Sequence, residues 1–278
     1  QNIQIFATVH TAFNHPIVVA KQLATLDQLS NGRIGLNVVA GWNKPEYDAF
    51  GVDLPSEHSD RYAMAQEWFD YVTRLWKEDH AFDWDGTFFR GKGVYGRPHP
   101  IQSRIPVINA AASEEGRAFA MRNADFLFTP VFDFAQARAT VDEISQKSAD
   151  AGRNVDVLTF CSVVCRPTQQ EAEDYLHWYA NENADWDAVD NLMTLQGMHA
   201  QSFTKEALSM FRDRFAAGHG GFPLVGTPDH IARQLALLSE TGIAGTTLSF
   251  VDYAKEFPYF RQEVLPRLEA KGLRQTVS

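Results

Sequence analysis

The feature that most constrains the fold of this chain is the alternation of short apolar, β-rich runs with longer segments of helical periodicity. Strands are predicted at about 3–10, 34–40, 105–110, 125–129, 157–165 and 246–251. Helices are predicted at about 16–29, 61–76, 134–151 and 228–241. This alternation is typical of parallel strands joined by crossover helices, so we expect an α/β fold.

Length and charge narrow the class of protein. A chain of 278 residues is long enough for one α/β barrel. Its net charge of −10 disfavours nucleic acid or an anionic membrane as a partner. Cys161 and Cys165 lie in one predicted strand, about 13 Å apart at ~3.3 Å per residue, which is too far for a disulfide. Two unpaired cysteines favour a cytoplasmic location.

Three stretches in the first fifth of the chain carry the strongest functional signal. They read IFATVHTAFNHP at 5–16, ATLDQLSNGR at 24–33 and IGLNVVAGWNKPEYDAFG at 34–51. Together they resemble the bacterial luciferase family of flavin-dependent monooxygenases. Within that family, the run GWNKPEY at 41–47 is most similar to the pyrimidine oxygenase type.

The resemblance implies a (β/α)8 TIM barrel, with residues 1–278 forming a single luciferase-like domain. A closed barrel has eight strands, whereas the pattern shows six. Because the opening run looks like the family's third strand, the first two βα units are expected to be missing upstream of this chain. The alternative is a naturally reduced barrel.

Several candidate site residues fall where the early strands end. Thr8, His10 and Asn37 lie at or near the carboxyl ends of predicted strands, and Trp42 and Glu46 lie on the following loop. Barrel enzymes place their chemistry on that rim. The resemblance implies that Thr8, Asn37 and Trp42 line an oxygen pocket beside a flavin. Alternatively, Thr8 and Asn37 satisfy local backbone groups and Trp42 plugs the barrel top.

His10 is a further catalytic candidate. An imidazole at the rim is suited to donate a proton during the reaction. The alternative is a hydrogen-bonded residue of the wall. The nine histidines show no HxxxH or HExxH spacing, so no metal site is expected.

A second group of residues predicts a cofactor site. Ser113 is suited to cap a helix that starts just after a strand, and such a helix start offers free N–H groups to a phosphate. The resemblance implies that FMN is contacted by Asn37, Glu46, Arg61, Tyr62 and Ser113. The motif alone is equally consistent with a plain capped helix, and the charges of Glu114 and Glu115 oppose a phosphate unless both point outward.

The run GKGVYG at 91–96 matches the GxGxxG pattern of dinucleotide sites, but prolines 98 and 100 prevent a helix after it. We interpret it as a glycine-rich loop. With no nicotinamide site, reduced flavin is expected from a separate reductase.

Residues 186–225 interrupt the alternation and predict a long insertion before the last βα unit. The resemblance implies that this insertion is a lid that covers the active site. Gly218, Gly220 and Gly221 are candidate hinges that would carry His219 over the substrate. A solvated surface loop is the alternative.

These expectations combine into one predicted function. The chain is expected to be a two-component, FMN-dependent monooxygenase that uses dioxygen and reduced FMN on a small organic substrate. A nitrogen heterocycle or amide-like carbon is favoured, and a small sulfur compound stays open. The alternatives are a deazaflavin-dependent dehydrogenase of the same superfamily and a non-catalytic flavin-binding protein. The resemblance also implies a homodimer or higher homo-oligomer through helices 16–29 and 61–76, with Trp68 and Trp76 as apolar anchors.

Overall fold

The computed structural model describes residues 3–55, 57–197 and 204–275. The chain divides into two compact units, Gln1–Leu127 with Ser148–Val155, and Phe128–Lys147 with Asp156–Ser278. The prediction of a single domain over the whole chain stays a prediction.

The first unit is built around parallel strands. Its elements are β1 (Ile5–His10), α1 (Pro16–Ser30), β2 (Ile34–Val39), α2 (Lys44–Phe50), α3 (His58–Lys77), β3 (Phe82–Asp85), β4 (Arg90–Val94), β5 (Val107–Ala110), α4 (Glu114–Asn123) and β6 (Phe126–Phe128). The strand order is β1-β2-β5-β6, and β2 pairs in parallel with both β1 and β5. The last residue of β6 already belongs to the second unit.

The second unit continues the alternation. Its elements are α5 (Phe134–Asp150), β7 (Asp156–Cys165), α6 (Gln169–His177), a π-helical turn (Trp178–Glu182), α7 (Trp186–Leu195), α8 (Lys205–Gly218), β8 (Phe222–Gly226), α9 (Pro228–Glu240), β9 (Gly245–Ser249), α10 (Tyr253–Glu263) and α11 (Leu265–Ala270). The last residues of α5 belong to the first unit. Strand β7 lies between β8 and β9 and is parallel to both.

Helix α1 shows how local sequence and tertiary contacts cooperate. It starts with Pro16 in its first turn and ends at Asn31, which adopts a left-handed φ of 55°. Its buried Asp27 accepts hydrogen bonds from the backbone N–H groups of Ile101 and Gln102 at 2.8 and 3.0 Å. The carboxylate thereby fixes the chain just before β5, which aligns that strand with β2.

The six predicted strands and four predicted helices are all confirmed, within a few residues at their ends. Both cysteines are free and buried in β7, and burial raises the pKa of each thiol to about 11.

The interpretation of residues 91–96 as a loop is wrong for 91–94. These residues form β4, which pairs in antiparallel fashion with β3 to make a hairpin. The hairpin is held by α3, because Glu67 accepts hydrogen bonds from the backbone N–H groups of Thr87, Phe88 and Phe89 at 2.9–3.0 Å. No sequence periodicity signals a contact of this kind.

The prediction of an insertion or lid over 186–225 stays a prediction, whereas its alternative, a solvated surface loop, is wrong. The segment contains α7, α8 and β8, while residues 198–203 lie outside the described residues. Strand β8 is a missed strand, concealed by its short length and by Pro223. His219 is the C-cap of α8 with φ 55°, just before the amino end of β8. The glycine-rich segment is therefore a helix cap and strand entry, and His219 does not lie at the carboxyl end of β8, where barrel chemistry occurs.

Candidate functional site

The carboxyl ends of β1 and β2 bring two predicted site residues into contact. The parallel register places Thr8 directly beside Asn37. Asn37 Nδ2 donates a hydrogen bond to Thr8 Oγ1 at 3.2 Å. Asn37 Oδ1 is buried and has no hydrogen-bond partner among the described residues. A fixed amide and hydroxyl pair with an unused acceptor is suited to bind a ligand.

Other polar atoms around these strand ends are also buried without a partner. Within the described part of the chain, the group comprises His10 Nδ1, Thr11 Oγ1, Asn37 Oδ1, Asn43 Oδ1 and Asn109 Oδ1. Native structures pair nearly all buried polar atoms, so such a concentration calls for a functional or ligand-related explanation. It marks the rim of β1, β2 and β5 as the candidate site.

Helix α3 supports the loop after β1. Asn14 Nδ2 donates to the carbonyl oxygen of His10 at 3.0 Å, and Trp68 Nε1 donates to the carbonyl oxygen of Asn14 at 2.7 Å. Trp68 is fully buried. The prediction that Trp68 anchors a dimer is therefore wrong, because its indole is used inside the unit. Trp76 is half-buried and donates to the carbonyl oxygen of Ala20 at 2.9 Å.

The segment after β2 turns sharply beneath an aromatic ring. Tyr47 is fully buried and its hydroxyl donates to the carbonyl oxygen of Ala40 at 2.9 Å. Gly41 has φ 105°, and a Cβ there would lie 1.7 Å from the Tyr47 hydroxyl, so only glycine fits. This turn leaves Trp42 45% exposed at the rim and places Glu46, half-buried, in the first turn of α2.

A second cluster lies at the start of α4. Ser113 is the N-cap, and its Oγ accepts a hydrogen bond from the backbone N–H of Gly116 at 3.2 Å. The Tyr62 hydroxyl lies above the same turn, 2.5 Å from where a Cβ on Gly116 would be, and it hydrogen-bonds with Ser113. Arg61 is 6% exposed and donates from Nη1 to the carbonyl oxygen of Pro55.

The electrostatics of this cluster suit an anion. Burial raises the pKa of Tyr62, although the charge of Arg61 opposes that shift. The phenol is therefore a neutral donor at physiological pH. Arg61 also opposes the rise in the pKa of Tyr47 that burial causes, so its charge acts on both clusters. Glu114 and Glu115 are both exposed, and solvent therefore weakens their repulsion of an anion.

The structure thus groups the predicted residues into two clusters of the first unit, one with Thr8 and Asn37 and one with Tyr62 and Ser113. Sequence reasoning missed Thr11, Phe13, Asn43 and Phe50 at this rim. Thr11 directly follows β1 and Asn43 directly precedes α2, and these positions could have identified both as rim residues. The sequence spacing does not show that Phe13 contacts Phe50.

The described ranges contain no cluster of three or more His, Cys, Asp or Glu side chains arranged to hold a metal ion. None of the helices in those ranges is long and apolar enough to cross a membrane.

Comparison with known proteins points to one family. The family described as luciferase-like monooxygenases matches residues 1–245. The FMNH2-dependent dimethylsulfone monooxygenase of Pseudomonas fluorescens (strain Pf0-1) is 31% identical over 97% of this chain and 75% of its own length. Pyrimidine monooxygenase RutA of Yersinia enterocolitica is 30% identical over 97% of this chain and 74% of its own length.

A solved structure agrees with these relatives. The crystal structure of riboflavin lyase with modified FMN and its substrate riboflavin superposes with a TM-score of 0.85 at 25% identity. The match covers 98% of this chain and 71% of that protein.

Proposed function

The chain belongs to the luciferase-like monooxygenase family, and from that membership we propose that it uses reduced FMN and dioxygen to oxygenate a small organic substrate at the rim of β1 and β2. The comparisons confirm the predicted family, the luciferase-like barrel class of fold and the class of flavin-dependent monooxygenase with FMN as cofactor. The placement of the site rests on the hydrogen-bonded pair of Asn37 and Thr8, in which Asn37 Oδ1 is buried without a partner among the described residues.

The residues at the start of α4 fit the phosphate of FMN. The first-turn N–H groups of α4 and one proton of the hydrogen-bonded Tyr62 and Ser113 hydroxyls are available as donors, and Arg61 supplies positive charge. Gly116 allows the Tyr62 hydroxyl to approach this turn, because a Cβ there would lie 2.5 Å from that hydroxyl. We assign Arg61, Tyr62 and Ser113 to the phosphate end and Asn37 with Glu46 to the remainder of the cofactor.

Bound reduced FMN supplies the electrons that activate dioxygen. The Asn37 amide and the Thr8 hydroxyl hold polar groups beside the reacting oxygen without having to reorganise, because each already fixes the other. Trp42 keeps water away from the site. We assign His10, at the same rim, as the donor of a proton to the oxygenated substrate.

Substrate and partners belong to the same proposal. The similarity to a pyrimidine monooxygenase favours a nitrogen heterocycle or amide-like carbon, and the similarity to a dimethylsulfone monooxygenase keeps a small sulfur compound as the second candidate. A separate flavin reductase supplies reduced FMN, the enzyme works in the cytoplasm, and it forms a homodimer or higher homo-oligomer.

Oxygen consumption tests the proposal. With a flavin reductase supplying reduced FMN, the protein should consume dioxygen in step with product from a candidate substrate. Hydride transfer to a deazaflavin without oxygen uptake would instead indicate a dehydrogenase. Tight FMN binding without turnover of any substrate would indicate a non-catalytic flavin-binding protein.

A further inference from the structure

We propose that three stacked rings at the rim, His10, Phe13 and Phe50, form a substrate-recognition surface that selects flat heterocyclic molecules. We call these three residues the aromatic wall. The inference rests on the proposed function and adds to it the residues that choose the substrate and the shape they choose.

The wall is continuous although its members come from different elements. His10 ends β1, Phe13 lies in the following loop and Phe50 ends α2. The ring centroids of His10 and Phe13 are 5.3 Å apart at an interplanar angle of 16°, and those of Phe13 and Phe50 are 4.6 Å apart at 21°. These near-parallel rings share one orientation, so a flat molecule that stacks on one end of the wall adopts the same plane.

Exposure shows that one end of the wall is available to a ligand. Phe50 is 65% exposed, whereas His10 and Phe13 are half-buried. Exposed apolar surface beside a group of polar atoms commonly marks a binding site. Tyr47 packs against Phe13 with centroids 4.5 Å apart and is itself fully buried, so the wall rests on a rigid base.

The stacked rings limit the shape that this surface accepts. Phe13 is already packed against His10, Tyr47 and Phe50, so the ring of Phe50 is the one most open to a ligand. An open ring face favours a flat molecule, which can stack on it, over a tetrahedral sulfone, which cannot.

Binding to the FMN-loaded protein tests the wall without relying on turnover. Uracil serves as the flat probe and dimethyl sulfone as the tetrahedral probe, with dissociation constants measured by calorimetry. The variants are Phe13→Leu and Phe50→Leu, which keep apolar bulk but remove the plane. We expect Phe50→Leu to weaken uracil binding about tenfold, the scale of losing one ring stack, and Phe13→Leu to weaken it in the same direction because Phe13 holds the plane of Phe50. Either change should alter sulfone binding less than about twofold. FMN affinity should be unchanged.

The matched control is Phe88→Leu, an equally apolar change at a 42% exposed phenylalanine on the β3–β4 hairpin. It should leave the affinity for both probes unchanged. Equal loss of both probes in the Phe13 and Phe50 variants, tighter binding of the sulfone than of uracil, or binding of neither would overturn the inference. Oxygen-coupled turnover of the sulfone alone would overturn the wall and leave the proposed monooxygenase function standing.

Discussion

At the scale of single residues, the proposed chemistry uses a side-chain atom that has no protein partner among the described residues. Asn37 uses its Nδ2 to hold Thr8 and keeps its buried Oδ1 free of protein partners within the described chain. An unsatisfied buried acceptor costs free energy, on the order of 1–3 kcal/mol. The unpaired acceptor thus lowers the stability of the protein, but it is already oriented when a ligand binds.

This trade predicts a loss of coupling when either partner is removed. Asn37→Ala or Thr8→Val should reduce product formed per oxygen consumed by ~100-fold, the loss typical of one preorganised donor. FMN affinity should stay within about tenfold, because most of the cofactor contacts remain. The measurement is product against oxygen consumed, with a reductase supplying reduced FMN. Thr25→Val, on the exposed face of α1, is the matched control. Wild-type coupling in both site variants would make the pair structural.

Tyr62 gives a second prediction, about the cofactor. Burial raises its pKa above the ordinary value of 10, so it stays a neutral donor up to and beyond pH 10. Tyr62→Phe should weaken FMN binding about tenfold, the scale of one hydrogen bond to a charged group. Wild-type affinity should not fall between pH 7 and 9 through ionisation of this phenol. Titration of FMN fluorescence measures both effects. Riboflavin, which lacks the phosphate, is the control ligand, and an equal loss of riboflavin binding would contradict the assignment.

At the scale of elements, the carboxylate of Glu67 helps to attach the β3–β4 hairpin to α3, beside the stacked rings of Tyr71 and Trp84. Burial would raise the pKa of Glu67, but hydrogen bonds from Phe88, Phe89, Trp84 and Thr87 outweigh it and lower the pKa below its usual 4.5. Phe89 at the hairpin tip packs against His15, the N-cap of α1, with ring centroids 5.9 Å apart. The hairpin therefore supports the loop that carries Phe13.

The lowered pKa of Glu67 gives a prediction with a defined sign. The charged form stabilises the folded state, so its contribution is present above pH 4.5 and is lost as the pH falls through the lower, folded-state pKa. Glu67→Gln should cost about 1–2 kcal/mol of unfolding free energy at pH 7. The deficit should shrink as the pH drops below 4.5. Denaturant unfolding at several pH values measures it.

Glu240→Gln, at an exposed position ending α9, is the control and should show neither the deficit nor its pH dependence. A Glu67→Gln deficit that is constant from pH 7 downwards would show that shape, and not charge, holds the hairpin.

At the scale of the whole molecule, the proposed homo-oligomer requires a surface that pairs with a second copy. Trp68 is excluded because it is fully buried. Helix α1 instead exposes an apolar stripe at helical spacing, with Val18 at 52%, Leu26 at 43% and Leu29 at 78% exposure. An exposed stripe of this kind is suited to an interface.

We expect a dimer at micromolar concentration by light scattering, and Leu29→Glu should shift it towards monomer by placing a charge in the interface. Leu237→Glu, at a 41% exposed leucine on α9, should leave the mass unchanged. A monomeric wild-type protein would contradict the proposal, and a dimer insensitive to Leu29→Glu would place the interface elsewhere.

The sequence by itself determined the order and the approximate bounds of most strands and helices. The alternating apolar periods predict β1, β2, β5, β6, β7 and β9, because a strand or helix must repeat its apolar residues at its own period to reach a core. Ser113 was identified as a cap because the bond that it makes spans only three residues. The family motifs also placed Thr8 and Asn37 at strand ends, since parallel neighbours end at the same edge.

Only the tertiary structure decided which distant residues meet. The ring of Phe13 reaches Phe50 across 37 positions, Trp68 turns inward to Asn14, and Glu67 binds a hairpin some twenty residues away. Strand β8 is a strand because β7 offers it a partner, despite the proline within it. Burial and strand pairing depend on which residues are neighbours in the folded protein. A sequence pattern shows only residues that are close along the chain, so it does not reveal neighbours that folding brings together.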